Sequence, residues 1–241
     1  MSTIPVLSNI SRVSELQNEL PANDERPKTA VIRQASARIP TRHGDFQLGF
    51  YSNNIDQKEH LAFFRGDIDG QTAVLARVHS ECFTGDVMGS LRCDCGEQLD
   101  RSLALIAKEG SGVVVYLRQE GRGIGLLQKL RAYNLQDQGY DTVDANLMLG
   151  HGADERDYSL AAAILADLGI ESVRLMTNNP LKIQALEAEG VQVVERVPLE
   201  PSPNNENRGY LLTKAKRMDH LFLNSSFAPN SNQSHDAQSK N

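Results

Sequence analysis

The stretch VVVYLRQEGRGIG, residues 113–125, joins an apolar run to a glycine-rich turn. Five consecutive apolar residues, Val113 to Leu117, are typical of a strand that is buried on both faces. From Ile124 to Gln138 the apolar residues recur at helical spacing, and Gly139 is a stop signal. A buried strand that leads through a tight turn into a helix is the building unit of α/β proteins.

The segments on both sides of this stretch alternate in the same way. Ala73 to Val78 is predicted as a strand, and the helical spacing of Leu99, Leu103 and Ile106 ends at Gly110. Downstream, the pattern predicts a helix over Tyr158–Leu168, a strand over Val173–Met176, a helix over Leu181–Glu189 and a strand over Val191–Val194. The predicted fold class is α/β (α+β), with a mixed β-sheet packed with helices in a single catalytic domain.

The two ends of the chain differ from this middle part. Residues 1–34 are polar and contain several prolines, which predicts a flexible N-terminal arm, with a short helix near Val13 to Leu20. Residues 224–241 are rich in Asn and Ser and are expected to form a disordered tail. The predicted catalytic domain therefore covers residues 35–223.

Charge and composition exclude several classes of function. The net charge of −6 over 241 residues does not favour binding to nucleic acid or to an acidic membrane. The sequence contains no apolar run long enough to span a membrane and no N-terminal signal, so no membrane partner is expected. Free thiols without an export signal predict a cytoplasmic protein.

The three cysteines of the chain, Cys82, Cys93 and Cys95, have the spacing C-x10-C-x-C. Three thiolates can hold one zinc ion and leave its fourth tetrahedral position open for water or substrate, as in enzymes that attack nucleobases. The alternative is three free thiols, or one redox pair with a spare. We expect Cys93 and Cys95 to lie on one face of an extended stretch, with Gly96 allowing the chain to turn away.

Four further polar groups suggest ligand contacts, each with a structural alternative. His79 and Glu81 lie close to Cys82 and suit acid–base catalysis, or they are simply surface side chains. The glycine-rich turn with Arg122 suits phosphate, or it is a tight connection. Pro180 and Asn179 are explained by a helix start, whereas Thr177 and Lys182 are not and could hold a ligand. Asp154 and Arg156 either form a base and a phosphate clamp or complement the dipole of the following helix.

Taken together and in order, the motifs resemble one enzyme family. They are RVHSEC (77–82), LRCDCG (91–96), RQEGRGIGL (118–126), ADERDY (153–158), TNNPLK (177–182) and YLLTK (210–214). From about Ile39 to about Leu223 the chain closely resembles GTP cyclohydrolase II. The resemblance implies hydrolysis of GTP with loss of C8 as formate and of the outer phosphates as pyrophosphate. The implied product is 2,5-diamino-6-(5-phosphoribosylamino)pyrimidin-4(3H)-one, in the first committed step of riboflavin biosynthesis, and the implied assembly is a homodimer.

The resemblance also implies roles for individual residues. Cys82, Cys93 and Cys95 would hold one catalytic zinc ion per chain, which activates water for addition to C8. Tyr133 is implied at the active site, and Asp154 as a proton acceptor. The implied contacts to GTP are Arg77, Val78, His79, Ser80, Glu81, Gln98, Glu120, Gly121, Arg122, Thr142, Thr177 and Lys182.

For the phosphate chemistry, the resemblance implies Arg156 as a nucleophile toward the α-phosphate. Since a guanidinium stays protonated, physical chemistry favours Arg156 as a phosphate clamp, with His79 as a candidate for attack on phosphorus. Mg²⁺ is expected to accompany the triphosphate because hard oxygen ligands suit this ion.

Two alternatives of other classes stay open at this point. One is a relative with altered chemistry, which stops at the formamide, keeps the pyrophosphate or acts on another base. The other is a non-catalytic GTP-binding module. We also expect a single activity, because the segment before Ile39 is too short for the dihydroxybutanone phosphate synthase domain that some relatives carry.

Overall fold

The computed structural model describes residues 28–152 and 154–222. The predicted helix near Val13 to Leu20, most of the predicted arm and the tail from residue 224 lie outside the described residues. They stay predictions.

A seven-stranded mixed sheet forms the centre of the molecule. Its strands are β1 (Val31–Thr41), β2 (Gly44–Asn53), β3 (His60–Arg65), β4 (Val74–Ser80), β5 (Gly112–Leu117), β6 (Val173–Met176) and β7 (Val193–Val197). Their order in the sheet is β1-β2-β3-β5-β4-β6-β7. The pairs from β1 to β5 are antiparallel, whereas β5, β4, β6 and β7 run parallel to their neighbours. The predicted mixed sheet is confirmed.

Seven α-helices accompany the sheet in the described part of the chain. They are α1 (Phe83–Asp86), α2 (Cys95–Glu109), α3 (Gly125–Asp137), α4 (Thr142–Met148), α5 (Ser159–Asp167), α6 (Pro180–Ala188) and α7 (Arg208–Arg217). Within residues 28–152 and 154–222, no helix combines the length and the hydrophobicity needed to cross a bilayer. The α/β class predicted from the alternating pattern is confirmed.

The central position of β5 in the sheet explains why its sequence is apolar without interruption. Val113 and Val115 pack on one face with Ile164 of α5, whereas Val114 packs on the other face with Ile106 of α2. All five of these side chains are fully buried. Because helices cover both faces, neither face of β5 can carry polar residues.

The structure differs from the predicted elements at several points. Strands β1 to β3 and helices α1, α4 and α7 were not predicted. For β1 the reason is that the strand is mostly exposed and lacks a clear apolar pattern. β1 begins at Val31, four residues before the predicted start of the domain. β4 begins one residue late because Ala73 has a φ of 54°. β7 begins at Val193 instead of Val191, since Val191 is still in the turn that closes α6.

The parallel strands place the predicted motifs at one edge of the sheet. β4 leads into Cys82, β5 leads into the glycine-rich turn, and β6 leads into Thr177. Open α/β sheets bind ligands outside the carboxyl ends of their parallel strands. These three connections therefore form the expected place for a site.

Candidate active site

An open cavity with an empty volume of about 1030 Å³ lies at this carboxyl edge. Most of the residues predicted to contact substrate or metal line it: Arg77, His79, Ser80, Glu81, Cys82, Cys93, Cys95, Gln98, Glu120, Gly121, Arg122, Tyr133, Thr142, Arg156, Thr177 and Lys182. Two predicted residues do not line it. Val78 packs in the core, and Asp154 is an exposed residue that pairs with Arg156. The tertiary structure thus gathers motifs that are up to about a hundred residues apart.

The three cysteines form a compact group in this cavity. Their sulfur atoms lie within 4.8 Å of one another, and the Sγ atoms of Cys82 and Cys93 are 3.7 Å apart. Such a group could hold a metal ion. No further His, Cys, Asp or Glu joins the group among the described residues, so one tetrahedral position stays open.

The prediction that Cys93 and Cys95 share an extended stretch is wrong. Cys95 is the first residue of α2, and Cys93 lies in the irregular segment just before it. Gly96 does not turn the chain away either, because it belongs to the first turn of α2. A Cβ atom on Gly96 would lie 2.2 Å from the carbonyl oxygen of Gly85, so a glycine is needed at position 96 for α2 to pack this closely against α1.

Gly85 closes the group of thiols from the other side. A Cβ atom at this position would lie 2.9 Å from Cys93 Sγ and 3.1 Å from Cys82 Sγ. The backbone of α1 is therefore packed directly against the three sulfur atoms. The sequence offered a signal for this contact, the glycine three residues after Cys82, which sequence analysis did not use.

Lys129 connects the thiols to the glycine-rich turn, and sequence analysis missed it. Its Nζ donates to Cys82 Sγ at 3.0 Å, to Thr84 Oγ1 at 3.0 Å and to Glu120 Oε1 at 2.8 Å. The pKa of Lys129 is raised, because the negative charge of Cys82 and these hydrogen bonds outweigh burial, which lowers it. Hydrogen bonds from the other two thiols, and then the charge of Lys129, lower the pKa of Cys82. A lysine in a helix is ordinarily solvated, so nothing in the sequence marked this one.

His79 is hydrogen-bonded to the carboxylate of Asp86, close to the thiol group. Its Nε2 lies 3.0 Å from Asp86 Oδ2, which also accepts from the Cys82 backbone N–H and from the Tyr116 hydroxyl. The imidazole is 2% exposed, and burial lowers its pKa. Since a carboxylate only accepts, the proton belongs on Nε2, and Nδ1 keeps its lone pair without a partner among the described residues. Any chemistry by His79 would use Nδ1.

The glycine-rich turn has an unusual backbone. Gly121, Arg122 and Gly123 have φ values of 64°, 63° and 96°. A left-handed conformation costs a residue such as Arg122 about 1–2 kcal/mol, and such strain is concentrated at functional sites. The turn is also a tight connection, because Glu155 N donates to Arg122 O at 3.0 Å. The N–H of Gly121 donates to Glu120 Oε1, so this donor already has a partner.

Buried basic side chains also line the cavity. Arg77 donates to the carbonyl of Met176, and Lys182 donates from Nζ to the carbonyl of Val78 at 2.6 Å. Both side chains are about 5% exposed. Burial, followed by the charges of Arg77 and Arg156, lowers the pKa of Lys182 well below its ordinary value. Within the described residues Lys182 forms no ion pair with a carboxylate, so a polyanion would relieve this accumulation of positive charge.

Asp154 and Arg156 form a bidentate ion pair at the rim. Arg156 Nε donates to Asp154 Oδ1 at 2.7 Å, and a second bond joins Nη2 to Oδ2. Burial raises the pKa of Asp154, but the hydrogen bonds and charge of Arg156 outweigh it and keep this pKa below its usual value. While paired in this way, Asp154 is a weak base.

Several of the smaller predicted groups already have protein partners. The Thr177 hydroxyl accepts from the backbone N–H of Asn179, which gives Thr177 a structural role in the helix start that sequence analysis had not found. Ser80 Oγ accepts from Gln119, and Glu81 pairs with Arg118 at 2.9 Å. These three groups would need to exchange or share partners to contact a ligand.

The C-terminal helix α7 and the residues after it close the cavity. Tyr210, Lys214, Met218 and His220 line it, and Lys214 Nζ lies 2.6 Å from Asp94 Oδ1. Tyr210 and Lys214 belong to the motif at 210–214, but the sequence predicted no role for any of these four residues. The cavity thus combines a group of three thiols with a lining of basic side chains, an arrangement suited to metal-assisted attack on a phosphorylated substrate.

Comparison with known proteins agrees with this geometry. The family model described as GTP cyclohydrolase II matches residues 32–198. A riboflavin biosynthesis protein RibBA of Bacillus cereus is 51% identical over 226 residues, which are 92% of this chain and 57% of that protein. Another RibBA, of Chlorobium phaeovibrioides, is 54% identical over 204 residues, or 85% of this chain and 50% of that protein. The chain therefore spans about half the length of these curated relatives.

One solved structure is also similar. RibBX, described as a two-domain 3,4-dihydroxy-2-butanone 4-phosphate synthase from A. baumannii, aligns with a TM-score of 0.44 and 23% identity. The alignment covers 78% of this chain and 43% of that chain.

Proposed function

This chain belongs to the GTP cyclohydrolase II family, and we propose that it hydrolyses GTP at the guanine ring with release of formate and pyrophosphate. The product would be 2,5-diamino-6-(5-phosphoribosylamino)pyrimidin-4(3H)-one, the first committed intermediate of riboflavin biosynthesis. The observation that carries the proposal is that one cavity contains the three-thiol group together with buried basic side chains, of which Arg77 and Lys182 form no ion pair among the described residues.

The metal that best fits the thiol group is zinc. Three cysteine sulfurs with one open position are a known donor set for catalytic Zn²⁺, whereas Mg²⁺ and Ca²⁺ prefer oxygen ligands. Gly85 supports the fit, because its missing side chain lets the backbone lie against the sulfurs. Zinc bound there would supply Lewis-acid activation of water for attack on C8 of guanine.

The basic side chains of the cavity suit the triphosphate. Arg77, Lys182 and Arg156 can share the phosphate charges, and burial makes each contact stronger than it would be in water. Mg²⁺ would neutralise part of the remaining charge on the leaving pyrophosphate through phosphate oxygens. Because Arg156 is permanently charged, its proposed role is to stabilise the transition state at the α-phosphate.

His79 and Asp154 are the proposed proton-transfer and attack groups. The Nδ1 atom of His79 is the ring position without a partner among the described residues, and because it is buried, attack on phosphorus or proton transfer there would require substrate binding to expose it. Asp154 would accept a proton only after Arg156 turns from the carboxylate to the phosphate, because this raises the pKa of Asp154 again. Substrate binding would thus switch on the base.

A product assay tests the proposed function. Zinc-loaded protein with GTP and Mg²⁺ should release formate and pyrophosphate in equal amounts, and Cys95→Ser should abolish formate release while leaving some pyrophosphate release. Formamide retention, or ring opening without pyrophosphate, would instead assign an altered chemistry. Tight GTP binding with neither product would assign a non-catalytic binding module.

The homodimer follows from the family resemblance, whereas the location and the excluded partners follow from the charge and composition of the sequence. We expect a homodimer in the cytoplasm that binds neither nucleic acid nor membrane. Sedimentation analysis would test the assembly, and a monomer with full activity would contradict it.

A further inference from the structure

Four polar side chains form a continuous chain of charge-assisted hydrogen bonds from helix α7 into the cavity. Lys214 Nζ donates to Asp94 Oδ1 at 2.6 Å, and Gln98 Nε2 donates to Asp94 Oδ2 at 2.6 Å. Arg77 Nη2 in turn donates to Gln98 Oε1. Lys214 lies beyond residues 32–198, the part of the chain that matches the family model.

The Asp94 carboxylate takes part in this chain of contacts and does not cap helix α2. It is the residue before α2, where a carboxylate would normally cap the helix, yet its side chain accepts no capping hydrogen bond. It is 1% exposed, so its charge must be compensated by protein groups, and Lys214 is its ion-pair partner. The position of the Asp94 carboxylate is therefore set by α7.

The two neighbours of Gln98 determine which way its amide points. A carboxylate can only accept and a guanidinium can only donate, so Asp94 selects Nε2 and Arg77 selects Oε1. The reversed amide would place two donors against each other and two acceptors against each other. Each amide atom keeps one further hydrogen-bonding position, and Gln98 lines the cavity.

Gln98 lies close to the thiols. It follows Cys95 by three residues in α2, so the two side chains lie on one face, about one helical turn apart. A purine whose imidazole ring faces the thiols would direct its six-membered ring toward this amide. Guanine presents the acceptor O6 beside the donor N1–H, whereas adenine presents a donor beside an acceptor.

We propose that Lys214 is a positioning residue that acts through Asp94 to fix the amide of Gln98 in the orientation that accepts guanine and rejects adenine. This inference rests on the proposed function, since it assigns the specificity of the same site. Without Lys214, Asp94 loses its fixed position, the amide can reverse, and the order of donor and acceptor is no longer unique.

The test compares two nucleotides that differ at this edge. ITP has the O6 and N1–H of guanine, whereas ATP has the reversed pair. Each is used to displace a fluorescent, ribose-labelled guanosine nucleotide from the zinc-loaded, full-length protein, and the ratio of their dissociation constants is measured. The assay needs no turnover, so the absence of formate release from GTP would overturn the proposed reaction without affecting this measurement.

Lys214→Ala should lower the preference for ITP over ATP by at least about tenfold, since one matched pair of hydrogen bonds discriminates bases by about 1–3 kcal/mol. Lys214→Arg should retain most of the preference. Lys216→Ala, exposed on the same helix, should be indistinguishable from the native protein. An unchanged ratio in folded, zinc-loaded Lys214→Ala, or no preference in the native protein, would overturn the proposal.

A second variant covers the case in which Lys214→Ala does not fold. Asp94→Asn keeps the size of the side chain but adds an N–H donor that can face the carbonyl of Gln98. It should also lower the preference for ITP by about tenfold, whereas a loss of overall affinity with an unchanged ratio would limit Asp94 to structural support and overturn the assigned role. Zinc content is measured in each variant to exclude metal loss.

Discussion

Replacing Lys129 by methionine should weaken both the fold and the metal site. Lys129 and Glu120 are about 10% exposed and form an ion pair at 2.8 Å. Breaking such a buried pair costs about 3–5 kcal/mol, because one charge is left uncompensated. Glu120 would keep its hydrogen bonds from the backbone N–H groups of Phe83 and Gly121, so we expect the lower end, about 3 kcal/mol.

The effect on metal binding has a separate cause. Cys82 Sγ would lose the ammonium donor that lies 3.0 Å away. Loss of such a partner to a metal ligand typically lowers metal affinity by about 10–100-fold. Zinc affinity is measured by competition with a chromophoric chelator, and the free energy of unfolding by urea denaturation at saturating zinc.

Two further variants separate the causes. Arg131→Met alters an exposed cation of the same helix and should change neither quantity. The double variant Lys129→Met with Glu120→Gln should recover part of the unfolding free energy, because no buried charge is left alone although the amide nitrogen then faces a backbone N–H donor, but it should not recover the zinc affinity. If Lys129→Met matched Arg131→Met within about 0.5 kcal/mol and about twofold in zinc affinity, the reasoning would be refuted.

Three other perturbations test separate features. Gly85→Ala should lower zinc content sharply, since its Cβ would lie 2.9 Å from Cys93 Sγ, whereas Gly209→Ala, with no atom within 4 Å of its Cβ, should retain zinc. Arg156→Ala should slow pyrophosphate release by about 10²–10³-fold, with little rescue by lysine, and native-rate release would contradict the clamp. Burial, followed by the charge of Lys214, lowers the pKa of His220 from 6.5 to about 3. The stability that neutral His220 contributes is complete above pH 6.5 and falls at lower pH, so at pH 5 the native protein should lose up to about 2 kcal/mol that His220→Asn does not lose, as measured by urea unfolding at pH 8 and pH 5.

The sequence by itself predicted the strands and helices whose burial produces a local pattern of apolar residues. The apolar run at 113–117 is strand β5 because helices cover both of its faces, and the glycines at 110 and 139 follow the ends of α2 and α3. The exposed strand β1 was missed for the opposite reason, since a strand with little buried surface leaves little pattern. The local pattern of apolar residues reflects burial, so an element with little buried surface leaves little signal in the sequence.

The same limit applies to the candidate site. The spacing of the three cysteines predicted one metal site, and the structure brings their sulfurs within 4.8 Å of one another. The assumed local geometry was wrong, because Cys95 begins a helix and the grouping results from the packing of α1 against α2. Residue types specified the chemistry, but not the backbone that presents it.

Tertiary structure alone decided which polar side chains act together. Lys129 and Lys214 are ordinary helix lysines in the sequence, yet one contacts a thiol and the other a carboxylate that is 120 residues away along the chain. Their roles depend on partners that other elements bring close, and charge interactions become strong only where burial excludes water. The sequence determined the motifs and the class of reaction, whereas the meeting of α7, β4 and α2 determined the surroundings in which those motifs would work.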